Sequence, residues 1–111
     1  MQVTAESYGD AVILNCTGDL TADSLEAFKK VVDHQLAEQQ VRDLALNLES
    51  VGFIDSAALE YLLGLQERLN ERLGQVKLVS LDENMMKILE ITRLDTAFER
   101  CEDVAEAVKN I

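Results

Sequence analysis

Between residues 44 and 48 apolar and other positions alternate, with Leu44, Leu46 and Leu48 set between Ala45, Asn47 and Glu49. A repeat of two marks an extended strand with one buried face. From residue 56 the spacing changes. Leu59, Leu62, Leu63, Leu69 and Leu73 fall on one side of a predicted helix over 56–73, with Gly74 just past its end as a C-cap. Read the same way, residues 2–7 predict a modest strand, Tyr8, Gly9 and Asp10 a turn, and 11–17 a second strand rich in β-formers. Thr21 can cap a helix whose Leu25, Phe28, Val32 and Leu36 share one stripe and which ends near Gln39 or Gln40. Residues 76–81 predict a strand, and Asp82 can cap a short helix carrying Met85, Ile88 and Leu89. A brief strand near 97–100 and a last helix with Val104, Ala107, Val108 and Ile111 complete the chain.

The predicted order is ββαβαβαβα: a mixed sheet of about five strands with an N-terminal antiparallel hairpin and four helices. Helices between strands imply parallel, right-handed crossovers. The one-faced leucine strand places the helices mainly on one face, so the expectation is a two-layer α/β domain with a largely open second face. At 111 residues, without proline, internal repeat or linker, residues 1–111 read as one domain around one core.

Charge narrows the chemistry. A net charge of −11, from 21 acidic and 10 basic residues, repels nucleic acid and anionic lipid and suits a basic protein partner. Acidity is equally a solubility device. Cys16 and Cys101 are far apart and lack metal or redox spacing, so they read as reduced packing thiols. The N-terminus lacks a basic flank and an apolar core, and no apolar run reaches the ~18–20 residues of a membrane span. A cytoplasmic protein without membrane insertion is expected.

Enzyme readings lack parts. Gly9, Gly18, Gly52, Gly64 and Gly74 stand singly and form neither a dinucleotide fingerprint nor a P-loop. Ser56 lacks the glycines of a nucleophile elbow, and His34, the only histidine, lies on the first helix beside acidic residues. The acidic pairs Asp82-Glu83 and Glu102-Asp103 open helices, where negative charge is favourable without a metal. No enzyme, cofactor or metal is expected.

One junction carries more. The 44–48 strand runs through a short loop, Gly52-Phe53-Ile54, into Asp55-Ser56 at the start of a helix. A helix N-terminus holds unpaired N–H groups and roughly half a positive charge, so a hydroxyl there can accept a phosphate. Asp and Ser are also preferred caps, and local chemistry alone favours that plainer role.

The wider pattern shifts the balance toward the switch. Leu44, Leu46 and Leu48 followed by Phe53-Ile54-Asp55-Ser56-Ala57-Ala58-Leu59 and Leu62-Leu63 resembles STAS domains of the bacterial anti-sigma factor antagonist (anti-anti-sigma factor) type. Gly18-Asp19-Leu20 is similar to that family's Gly-x-Leu opening of the first helix, so the resemblance spans nearly the whole chain. It implies a partner-switching regulator of transcription that binds a serine-kinase-type anti-sigma factor and is released when that kinase phosphorylates the loop serine, with a phosphatase as a further partner. Carried over, Ser56 is the phosphoacceptor, Asp55 positions it, and Gly52, Phe53, Ile54, Ala57 and Ala58 shape the surface around it. Asp19, Thr21, Asp23 and Ser24 are further partner contacts.

Two positions depart from the family's pattern. Glycine is usual where Ala58 stands and frequent near Arg93, and an added methyl at Ala58 is expected to hinder the approach of a kinase backbone. The alternative implied by the same family is a subunit docked permanently on a transporter or sensory complex, without phosphate control.

Overall fold

The computed structural model describes residues 1–109. Its elements are β1 (Gln2–Tyr8), β2 (Ala11–Thr17), α1 (Leu25–Leu36), β3 (Asp43–Ser50), α2 (Ser56–Glu71), β4 (Val76–Val79), α3 (Glu83–Ile91), β5 (Glu99–Cys101) and α4 (Val104–Lys109). The order matches the expected ββαβαβαβα. The five strands lie side by side in sequence order, β1 antiparallel to β2 and the others parallel. Tyr8 pairs with Ala11 across the hairpin, so the turn shrinks to two residues and needs Gly9 at φ +64°.

On the first face Val12, Leu14, Leu44, Leu46, Leu48, Val76 and Leu78 meet Phe28 and Val32 of α1, Leu62, Leu65 and Leu69 of α2, and Met85 and Leu89 of α3. Each such side chain taken fully from water contributes roughly 1.5–3 kcal/mol, and this layer forms most of the core. The second face is less open than expected. Ile13, Ala45, Val79 and Cys101 form a separate apolar strip covered by Ala107, Val104 and Val108. Three helices therefore share one face while α4 takes the other. Lys77 lies buried beside that strip, its Nζ donating to the carbonyl of Ala107 at 3.3 Å and lying 4.0 Å from a carboxylate oxygen of Glu99. A cation against a carbonyl near the helix C-terminus is favourable.

Both ends of α1 differ from the expected ones, the first for a local reason and the second for a distant one. α1 begins at Leu25, not beside Thr21, because residues 21–24 form a turn closed by Ser24. It ends at Leu36, earlier than Gln39 or Gln40, where Arg72 donates to the carbonyls of Leu36 and Val41 at 2.7 and 3.2 Å. Leu73, expected on the inner face of α2, is 86% exposed, and Leu65 occupies the core instead. β4 stops at Val79, and β5 begins at Glu99. Ile111, assigned to the last helix, lies outside the described residues.

Candidate functional site

The loops leaving β2 and β3 meet at one end of the parallel strands. Thr17 pairs with Ser50 after a register irregularity in β2, and Gly18 donates to the carbonyl of Ser50 at 3.1 Å. Gly18 has φ +103°, a backbone that side-chain-bearing residues rarely adopt. Beyond it Leu20 and Ile54 form an isolated parallel bridge: Leu20 N–H donates to the carbonyl of Phe53 at 2.9 Å, and Asp55 N–H to that of Leu20 at 3.2 Å. Both bridge residues are buried, so the two loops share one apolar anchor.

Asp55 is the N-cap of α2, with extended backbone at φ −95° and ψ 176°. Its Oδ1 accepts from the N–H of Ala58 at 2.9 Å, the geometry of a helix cap. Its Oδ2 accepts from the N–H of Ala22 at 2.8 Å, 33 residues away in sequence. The Ala58 bond, then the Ala22 bond, hold this carboxyl below the usual carboxylate range, because both favour the charged form.

Since Asp55 caps the helix, Ser56 is left as the first residue of α2. It is exposed, and among the described residues its hydroxyl has no hydrogen-bond partner. The capping role that competes with a switch at this pair therefore falls to Asp55 alone.

The other expected contacts divide by depth. Asp19, Asp23, Gly52 and Phe53 are exposed, Phe53 at 49%, while Thr21, Ser24 and Ala57 are partly buried. A Cβ on Gly52 would lie 3.2 Å from an Asp19 side-chain oxygen, which sets the two loops against each other. Ser24 closes its own turn, accepting from Thr21 N–H at 3.0 Å and donating to the carbonyl of Asp19 at 2.8 Å. Ile54 and Ala58 cannot touch a partner: they are 5% and 0% exposed and belong to the core. The expected obstruction by the Ala58 methyl is thus corrected, since that methyl points inward. Ala22 went unremarked in the sequence because its contribution is a backbone N–H, which no side-chain pattern announces.

Elsewhere, His34 is exposed near the end of α1. Asp82 caps α3 through Met85 N–H at 2.8 Å, and Asp103 accepts from Glu106 N–H at 2.8 Å, as expected of helix-opening acids. Among the described residues no group of three His, Cys, Asp or Glu is placed to hold a metal ion, and no helix is long and apolar enough to cross a membrane.

Comparison with known proteins identifies the family. The STAS domain family model matches residues 2–107. A Thermotoga neapolitana protein named as a candidate anti-sigma factor antagonist is 28% identical over 102 residues, 92% of this chain and 90% of that one. The crystal structure of a similarly named Thermotoga maritima protein superposes with a TM-score of 0.89 at 25% identity, covering 98% of this chain and 93% of the other. The phosphorylated form of the Bacillus cell fate determinant SpoIIAA superposes with a TM-score of 0.77 at 18% identity, covering 98% of both chains.

Proposed function

The chain belongs to the STAS domain family, and from that membership we propose that it is an anti-sigma factor antagonist controlled at Ser56. In this reading it is a binding module, not an enzyme. Unmodified, the surface formed by Asp19, Thr21, Asp23 and Ser24 on one loop and Gly52, Phe53, Asp55, Ser56 and Ala57 on the other binds a serine-kinase-type anti-sigma factor. That kinase transfers the γ-phosphoryl group of ATP to the Ser56 oxygen, ADP leaves, and the hydroxyl proton passes to a base of the kinase. A phosphatase restores the hydroxyl by hydrolysis.

The observation that carries this reading is the exposed Ser56 hydroxyl at the first position of α2, with the capping duty held by Asp55. Phosphate adds about −1.5 to −2 charge and three acceptor oxygens. Asp19, Asp23 and Asp55 already make this end of the molecule acidic. In a docked complex the added charge is desolvated and faces whatever the partner has matched to a neutral hydroxyl, so the complex separates. The helix N-terminus tolerates phosphate, so the fold persists.

The test is affinity capture from lysate of the source cells with wild type and Ser56→Asp side by side, followed by incubation of the captured kinase with ATP. Expected is a serine kinase held by wild type, lost by Ser56→Asp, and able to phosphorylate Ser56. Retention of one membrane or scaffold complex by both forms would replace this reading with constitutive docking.

A further inference from the structure

We propose that Asp55 is a latch between Ser56 and the 19–24 turn, so that a phosphate on Ser56 loosens the far half of the partner surface as well as obstructing the near half. The inference rests on Ser56 being the phosphoacceptor and concerns how that modification is transmitted.

The two oxygens of Asp55 have separate duties. Oδ1 serves the helix that Asp55 caps, through Ala58 N–H, while Oδ2 serves a different loop, through Ala22 N–H at 2.8 Å. A bond from a backbone N–H to a charged carboxylate is about twice as strong as a neutral one. The base of the turn is fixed independently by the Leu20 and Ile54 bridge. Its crest is not. Thr21 N–H and the Ser24 hydroxyl bond within the turn, and among the described residues the Ala22 N–H makes the crest's one hydrogen bond to the Ser56 side. Asp23, the next residue on that crest, is exposed.

Ser56 is the next residue along the chain, at the opening of the same helix. A phosphate there competes with the Asp55 carboxylate for the N–H groups of the first turn and repels it as a like charge. Of the two Asp55 bonds, the one to Ala22 is the more readily given up. Its donor sits on an exposed loop, whereas Ala58 is fixed in α2 and buried. The turn then relaxes, its crest held by the bonds within the turn.

Asp55→Asn isolates the latch. Asparagine is as good a cap as aspartate and can still accept from Ala58 N–H, but its amide nitrogen cannot accept from Ala22. Amide hydrogen exchange of the full chain, resolved by NMR, is compared for wild type, Asp55→Asn, Ser56→Asp and the double variant. Expected is exchange at Ala22 about tenfold faster or more in each variant, with Ala58 unchanged in Asp55→Asn. In the double variant Ser56→Asp adds little, because the latch is already open. Unchanged exchange at Ala22 in Asp55→Asn, or in Ser56→Asp, overturns the latch. Neither readout uses a partner or a kinase, so failure of the proposed function appears separately, as absent capture with the latch intact.

Discussion

Leu73 and Arg93 end α2 and α3 by the same device, each in the left-handed region at φ 64° and 61°. After each, the next N–H reaches the carbonyl five residues back, Gly74 to Leu69 and Leu94 to Leu89, both at 2.8 Å. This is the Schellman closure, and its left-handed position favours glycine. The left-handed backbone at Arg93 is thus where a glycine, expected near this position from the family resemblance, would sit without strain. Leu73→Gly and Arg93→Gly are each expected to stabilise the domain by about 0.5–1 kcal/mol, seen as a melting temperature raised by a few degrees. An unchanged or lower value would mean that the lost side-chain contacts matter more than the backbone.

Gly74 is needed for another reason. A Cβ there would collide with the backbone carbonyl of Arg42, which no side-chain movement relieves. Gly74→Ala is expected to cost more than about 2 kcal/mol, read from urea unfolding. A loss below about 0.5 kcal/mol would show that the loop carrying Arg42 yields easily.

Asp55 and Ser56 should part company in stability. Ser56→Ala removes no cap and is expected to leave unfolding within about 0.5 kcal/mol of wild type, whereas Asp55→Ala lowers the melting temperature clearly. The pH dependence has a definite sign. The native pKa of Asp55 lies below its unfolded value of about 3.9, so its contribution is complete above that pH and disappears as pH falls through the native value. The acid limb of the melting-temperature profile should therefore be shallower in Asp55→Asn than in wild type. Superimposable profiles would remove the carboxylate from the stability argument.

The cysteines should be silent. Both are buried; burial pushes the Cys16 thiol up to about 12 and raises that of Cys101, where Glu99 adds to the effect. Because the thiolate is the nucleophile, a thiol reagent at pH 8 is expected to label neither in the folded protein within minutes and both in denaturant. Rapid labelling of the native chain would place one of them in an opening segment.

Much of this architecture was legible in advance because its cause is local. The alternation at 44–48, the helical spacing after residue 56 and the Asp55 and Asp82 caps each depend on neighbours within a turn or two. What escaped depends on residues brought from elsewhere. Arg72 ends α1, the bond from Ala22 to Asp55 joins two loops, and Ala58 turns inward because α2 packs on the sheet. Cys101 reads as a packing thiol from the sequence, but that it and Ala45 form the floor for α4 follows only when β3 and β5 take their places. The surface role of Ser56 could be inferred from motif and spacing; the hidden roles of Ile54 and Ala58 required the packing.

The placement of α4 has a practical side. It packs on β3, β4 and β5 across the sheet from the helix that Ser56 opens, with Lys77 beneath it. A fluorophore on an outward residue of α4, such as Ala105, rides with the domain while leaving the acidic end free. The same molecule can then report binding and release in solution without its label competing for the surface it observes.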